Sequence, residues 1–311
     1  MIRKNDLIYI AGHRGMVGSA ILRKLKKEGY KNILTRTRKQ LNLLDTNKTY
    51  NFLLKFKPKF IFVAAAKVGG IYYHTTHPAD AIYQNLIIQN NIIHGAFSAK
   101  IKDLIFLGSS CIYPKNCKQP MKENYLLSGK LEETNEGYAI AKIAGVKMCE
   151  SFNKQYNTNY KCLMPTNAFG PNDNYNPKNS HFVPALIRKI HLLKKSKKKI
   201  KKLIVWGNGK AKREIIHADD IADACIFFMN KKDSPYLINI GTGKEYSIEY
   251  YAKTFSKYMG VNIKIVFDKS KPNGVSRKLM DISLAKKHGW KSKILLKDAI
   301  VSTYRNYLNE K

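Results

Sequence analysis

Short, wholly apolar runs punctuate this chain, and between them apolar positions recur every three or four residues. Leu-Ile-Tyr-Ile-Ala at 7–11, Phe-Ile-Phe-Val-Ala-Ala-Ala at 60–66 and Leu-Ile-Phe-Leu-Gly at 104–108 are continuous rather than alternating. Such runs suit strands buried on both faces of a parallel sheet. Further strands are predicted at about 32–36, at 160–164 and at 236–243. Val17, Ala20, Ile21 and Leu25 make one stripe of a helix after the first strand. A long helix is predicted from about Pro78 to Ser98, carrying Asn85 and Asn90, and another through Tyr138 to about Gln155. Strands alternating with helices predict an α/β fold with a doubly wound parallel sheet.

Beyond Pro165 the pattern loosens. Asn172 to His181 is polar and aperiodic, a loop above the sheet suited to ligand contacts. Val-Pro-Ala-Leu-Ile-Arg-Lys (183–189) starts a helix. Leu203-Ile-Val-Trp reads as a strand turning at Asn208-Gly209. Arg213 to His217 is a further short strand, and Asp219 and Asp220 open the helix after it. A helix, then Ile263-Lys-Ile-Val-Phe and Arg277 to Asp281, make up a smaller C-terminal α/β lobe. No repeat or low-complexity linker divides the 311 residues. The expected division is therefore interlocked: residues 1–166 with about 214–243 in one domain, 167–213 and 244–311 in the other.

Composition narrows the class. Hydrophobic residues at 44% fit a soluble globular protein, and no apolar run approaches the roughly 20 residues that span a bilayer. The basic N-terminus runs at once into a strand and Gly-His-Arg-Gly, so a signal peptide is not expected. Five cysteines, an odd count without metal-ligand spacing, suggest reduced thiols in the cytoplasm. Fifty-six Lys and Arg against 22 Asp and Glu leave a net charge of +34. That charge is mostly lysine spread along the chain. A nucleic-acid-binding module would bring aromatic or groove-reading motifs with it, and none is found; a nucleotide-binding module without catalysis would be expected to have lost Tyr138 or Lys142, and neither is lost. The dense run at 194–202 reads as a solvated helix end and loop, with gathering of an anionic substrate as the other reading.

The chemistry lies at the ends of the strands. Gly12-His-Arg-Gly15-Met-Val-Gly18 follows the first strand directly and opens a helix. Glycines there allow a tight turn and close approach of a pyrophosphate to free helix N–H groups. The second strand should end in an Asp or Glu if the ribose 2′-hydroxyl is to be bound. It ends instead in Thr35-Arg36-Thr37-Arg38, with Arg14 nearby, so a 2′-phosphate and NADP(H) are favoured. Tyr138 and Lys142 lie four apart, one helical turn from each other. A cation there is expected to draw the phenol down from its usual value of about 10. Alternation along an extended chain places Ser109 and Cys111 on one side.

Gly-His-Arg-Gly-Met-Val-Gly-Ser-Ala, Ala-Ala-Lys-Val-Gly-Gly-Ile, Gly-Ser-Ser-Cys-Ile-Tyr-Pro, Tyr-Ala-Ile-Ala-Lys-Ile-Ala-Gly and Met-Pro-Thr-Asn occur in this order. Together they resemble the GDP-L-fucose synthase family, epimerase-reductases of the extended short-chain dehydrogenase class. The resemblance runs from about residue 7 to 308. Asn-Ser-His (179–181), Trp-Gly-Asn-Gly, Arg213-Glu and Ser-Lys-Pro-Asn-Gly-Val-Ser-Arg-Lys (270–278) continue it. It implies a homodimeric, Rossmann-type enzyme that uses NADPH to reduce carbon 4 of a GDP-linked 4-keto sugar. Ser109, Tyr138 and Lys142 match the family's reductive triad, and Cys111 and His181 its epimerisation pair. The implied cofactor set is Gly12, Arg14, Gly15, Met16, Val17, Gly18, Arg36, Arg38, Asp45, Ala65, Lys142, Pro165, Asn167 and His181. The implied substrate set is Lys189, Trp206, Arg213 and Arg277.

There are three departures from the family pattern, and the first two bear on the substrate. Lys189 stands where the family has an arginine, Tyr72-Tyr73-His74 is bulkier than usual, and Gly137 replaces a proline. They leave open a larger sugar, such as a GDP-4-keto-heptose, and an enzyme that only reduces a ketone epimerised elsewhere.

Overall fold

The computed structural model describes residues 1–177, 179–270 and 275–309. In chain order the elements are strand β1 (Ile8–Ala11), helix α1 (Met16–Lys27), β2 (Ile33–Thr35), α2 (Thr46–Phe56), β3 (Phe60–Val63) and the short α3 (Ile71–Thr76). Next come α4 (Pro78–Ser98), β4 (Asp103–Leu107), α5 (Glu136–Tyr156), β5 (Asn159–Pro165), β6 (Asn167–Phe169) and α6 (Phe182–Lys195). They are followed by β7 (Lys202–Trp206), β8 (Lys212–His217), α7 (Ala218–Asn230), β9 (Leu237–Ile240), β10 (Glu245–Ser247) and α8 (Ile248–Tyr258). The last are β11 (Lys264–Asp268), β12 (Arg277–Lys278), α9 (Ser283–Lys287) and α10 (Leu296–Asn309).

The apolar runs pair as a six-stranded parallel sheet in the order β2-β1-β3-β4-β5-β9. Every residue of β1 and β3 is buried, as continuous apolar strands require. Strand alternation sends Tyr9, Ile61, Val63 and Phe106 into one core and Ile8, Ile10, Phe62 and Ile105 into the other. The strand order reverses between β1 and β3, the place where such sheets open a crevice at their carboxyl ends. β3 is shorter than its apolar run. Ala64 still donates to the Ala11 carbonyl at 3.0 Å, but β1 then turns away at Gly12, and the ladder ends for want of a partner.

Helix α4 is a spine for the loops at that crevice. Three of its buried side-chain amides reach backbone groups elsewhere. Asn85 brackets Lys67, accepting its N–H and donating to its carbonyl, both at 2.9 Å. Gln89 donates to the Ala141 carbonyl at 2.6 Å and Asn91 to that of Leu43 at 2.9 Å. Asn90 faces out. Buried amides left unpaired are costly, so these bonds fix the loop positions as well as the helix.

The smaller lobe holds β8 with β6, β10 and β12 and the two-stranded parallel pair β7–β11, over a third core built around Phe169, Ile187, Tyr251 and Phe255. β8 therefore belongs to this second sheet, and α7 behind it packs on the first through Ala218, Ile221 and Phe228. The turn at Asn208-Gly209 does not fold β7 onto β8; each strand pairs elsewhere. Lys271 to Gly274 of the motif at 270–278 lie outside the described residues. Among the described residues no helix is long and apolar enough to cross a membrane.

Candidate active site

The glycine turn is built for close approach. Gly12 has φ +86°, a conformation that favours glycine, and a Cβ on it would come within 2.6 Å of the Ala65 nitrogen. A Cβ on Gly18 would strike the Gly12 carbonyl oxygen at 2.1 Å, so α1 can begin against the turn only with glycine there. Gly12 and Gly15 open onto a cleft of about 240 Å³ that Arg36, Arg38, Asn42 and Ala65 also line. The Arg36 guanidinium lies 5.5 Å and 5.2 Å from the Phe52 and Phe56 rings and donates to the Thr35 carbonyl at 2.8 Å. Arg14, Met16 and Val17 stand at the same turn, Arg14 exposed.

Asp45 has a different place. Its carboxylate caps α2, accepting from the Lys48 N–H at 2.9 Å and pairing with the Lys48 ammonium at 3.1 Å. Its carboxyl is held low by that cap.

At the carboxyl end of β4 the catalytic candidates gather. Ser109 is extended, and Ser110–Ile112 form one turn of 3-10 helix, which Ser109 caps by accepting from the Cys111 N–H at 3.4 Å. The Cys111 thiol also bonds the Ser109 side chain. The two residues do face one site, but through this turn and not through strand alternation. Tyr138 and Lys142, both buried, project from α5, and Tyr138 and Cys111 share a small apolar cluster. Lys142 donates to the Leu107 carbonyl at 2.8 Å, with its Nζ 4.6 Å from the Phe106 ring and 5.9 Å from that of Tyr138.

Burial sets the protonation here. It pushes the Tyr138 phenol far up, and Cys111 beside it adds to the rise. The expected downward pull by Lys142 does not prevail, because the ammonium is turned to the Leu107 carbonyl and desolvation outweighs it. Burial brings Lys142 down to about 8, against the opposing pull of Cys111 and Cys162. It raises the Cys111 thiol as well, although Lys278, Ser109 and Lys142 all favour the thiolate. His181, at the N-cap of α6, is open to solvent. Crowding by protein, then His74, then Lys278 hold it below its ordinary value.

On the second lobe, Arg213 and Lys278 are strand partners in β8 and β12. Lys278 is pushed down by burial and by Arg213, and pulled up by Cys111, Cys117 and Glu132. Arg277 sits on the other face of the same strand, its Nε donating to Glu245 at 2.7 Å. Lys278, the neighbour of the expected substrate residue Arg277, is the cation of this strand that interacts electrostatically with Cys111. Glu214, fully buried, keeps that strand in place by accepting from the N–H groups of Met280 at 2.9 Å and Gly243 at 2.6 Å. Asn167, just beyond Pro165 at the end of β5, donates to the Glu214 carbonyl at 2.8 Å. Lys189 donates to the Ile204 carbonyl at 3.3 Å, and its Nζ lies 6.0 Å from the Trp206 ring.

A profile of the NAD-dependent epimerase/dehydratase family matches residues 8–241. The chain belongs to that family. It is 47% identical to a GDP-L-fucose synthase of Escherichia coli (strain K12), across 97% of this chain and 96% of that one. Among solved structures it is similar to a GDP-6-OMe-4-keto-L-xylo-heptose reductase from C. jejuni, with TM-score 0.93, 37% identity, and coverage of 100% of this chain and 99% of that chain. It is also similar to a GDP-mannoheptose C4 reductase from Campylobacter jejuni with NADP bound, with TM-score 0.90, 39% identity, and coverage of 99% and 100%.

Within this family member, two groups of residues escaped the sequence reading. Gln89 and Asn91 carry no local signal, since a polar residue in a helix is usually solvated. Lys278 was hidden beside Arg277; only strand pairing tells which of two adjacent cations faces the cleft.

Proposed function

We propose that the chain is an NADPH-dependent oxidoreductase that reduces carbon 4 of a GDP-linked 4-keto sugar after inverting carbons 3 and 5 in the same site. The observation that carries this reading is the meeting of Ser109, Cys111, Tyr138 and Lys142 at the carboxyl end of β4. The sugar nucleotide is taken from the GDP-sugar enzymes named above.

NADP(H) fits the first lobe. The glycine turn admits a pyrophosphate at the start of α1, and Arg36 and Arg38 line the cleft where a 2′-phosphate needs cations. Arg14, Gly15, Met16, Val17, Ala65, Lys142, Pro165, Asn167 and His181 complete the proposed cofactor set. Asp45 contributes through its place at the cap of α2. Bound NADPH supplies the hydride. Ser109 holds the ketone oxygen, and Tyr138 gives it a proton as negative charge develops. A phenol pushed up by burial stays protonated until that moment, as a general acid must. Lys142, brought to about 8, lends positive charge near neutral pH.

For inversion, a 4-ketone acidifies the hydrogens on carbons 3 and 5, since the resulting enolate is delocalised. Cys111 serves as base and His181 as acid. Lys189, Trp206, Arg213 and Arg277, with Lys278 added, bind the GDP moiety on the lobe of residues 167–213 and 244–311. The cofactor takes residues 1–166 and about 218–243, since β8, which the expected boundary at 214 cuts, pairs in the second sheet.

One observation favours a second reading, reduction alone of an already epimerised GDP-4-keto-heptose. Burial raises the Cys111 thiol, which disfavours the thiolate that inversion needs. The test is incubation with NADPH or NADH and a panel of GDP-4-keto hexoses and heptoses, with NMR of the products. Oxidation of NADPH with inversion at both carbons is expected. Reduction without inversion selects the second reading, equal efficiency with NADH refutes the 2′-phosphate argument, and no turnover with any sugar refutes both readings.

We also propose a cytoplasmic homodimer formed by α4 and α5. Their exposed Tyr83, Ile140 and Tyr156 support it, because two such helices from each subunit can close a four-helix bundle. Sedimentation at micromolar concentration should give a dimer; a monomer refutes it.

A further inference from the structure

The short helix α3 was not expected from the sequence, and it joins the two halves of the site. At its N-cap, Gly70 donates its N–H to the Asn179 carbonyl at 2.9 Å. A Cβ on Gly70 would come within 2.7 Å of the Ser180 carbonyl oxygen. The segment is thus bonded to, and packed against, the loop that delivers His181. One turn on, His74 is buried, 7% exposed, with its ring centroid 5.1 Å from that of Tyr138 at 44°. Its ring bonds the Gly69 backbone, while Nδ1 is buried without a hydrogen-bond partner. One nitrogen of this buried ring is therefore paired and the other is not, a state that buried polar atoms seldom adopt.

We propose that His74 is a positioning residue shared by both halves of the site: its imidazole braces the Tyr138 ring, while the segment carrying it anchors the loop that delivers His181. The inference rests on the oxidoreductase reading above for the role of Tyr138. Bracing matters because a misplaced reacting group loses rate steeply; about 1 Å can cost on the order of 10²-fold. The charges around the pair are few. Tyr138 faces His74 from α5 and Tyr73 from its own segment, while His77 stacks on the Tyr73 ring and Lys67 lies over it. Desolvation first, then the charges of His74 and Lys278, hold His181 below its ordinary value. Burial holds His74 below its ordinary value. It is therefore neutral at neutral pH, and two neighbouring histidines oppose each other's protonation as pH falls.

The test combines two variants with two readouts. His74→Ala removes the ring; His74→Phe keeps the brace and removes the titrating group. Reduction by His74→Ala should fall in kcat by roughly 10- to 100-fold with KM for NADPH unchanged, and His74→Phe should recover most of it. In the substrate-free protein, NMR titration of the His181 ring should show its midpoint raised in both variants. That midpoint does not depend on the substrate, so it separates failure of this inference from failure of the function reading. If His74→Ala does not fold, His74→Asn takes its place, since it too lacks the ring. Wild-type kcat in the ringless variant, no recovery with Phe, or an unmoved His181 midpoint would each overturn the proposal.

Discussion

Two lysine-bearing regions of this molecule behave in opposite ways. In the catalytic cluster beyond β4, Lys142 is 2% exposed, bonded to a carbonyl and brought down to about 8 by burial. On the far end of the second lobe, Lys197, Lys198 and Lys199 stand in water. Nearby, Lys194 reaches the Met259 carbonyl at 2.7 Å. The residue type is the same, so the difference belongs to its surroundings. Desolvation makes an amine sensitive to every neighbouring charge, whereas solvated amines are screened within about 8 Å at physiological salt. A net charge of +34 counts both kinds equally and so says little about chemistry.

The largest expected effect lies in that cluster and divides it. Tyr138→Phe keeps the ring and its contact with His74 but removes the proton donor. Reduction should fall by about 10²–10⁴-fold, while solvent deuterium still enters carbons 3 and 5 at Cys111. Cys111→Ser should do the reverse, halting exchange while an already inverted ketone is still reduced. NADPH oxidation set beside deuterium content by mass spectrometry reads both. Exchange lost in Tyr138→Phe would mean that one residue serves both steps. A wild type without exchange would point to the reductase-only reading.

The same contrast explains what was legible in the sequence. The turn at Gly12 was legible because three glycines directly follow a continuous apolar run, and the constraint is local. Helix α4 was legible from Pro78 to Ser98, and proline at its first position marks its start. Helix α3 was not. Ile-Tyr-Tyr-His-Thr-Thr consists of poor helix formers, and its N-cap is held by the Asn179 loop, over a hundred residues away in sequence. The side of Cys111 was inferred from alternation, and a 3-10 turn supplied it instead. The shift at Tyr138 was misjudged in sign because spacing fixes the distance to Lys142 but not the burial of the phenol or the carbonyl that engages the ammonium. Asp45 could be read as an acidic residue near the cofactor; that it caps α2 depends on where the helix begins.

A graded series of cation removals tests whether surroundings, rather than count, decide the effect. Lys278 is pushed down by burial and faces Cys111 and Arg213. If it holds an anionic part of the substrate, Lys278→Ala removes a charged hydrogen bond of roughly 1.5–3 kcal/mol, about 10- to 150-fold in kcat/KM for the sugar nucleotide. Arg277, one residue earlier, is turned outward to Glu245 with 43% of its side chain exposed. Exposed pairs of that kind are worth about 0.2–1 kcal/mol, so Arg277→Ala should cost roughly two- to fivefold at most. Replacing Lys197, Lys198 and Lys199 together by glutamine removes three charges and should change kcat/KM by less than about twofold, because each is solvated and screened. Steady-state kinetics at constant ionic strength checks the order. A triple variant as impaired as Lys278→Ala would show that the lysine run gathers the substrate after all. Arg277→Ala exceeding Lys278→Ala would reverse the facing of β12 in the working enzyme. The order Lys278, then Arg277, then the run means that one half-buried cation outweighs three exposed ones.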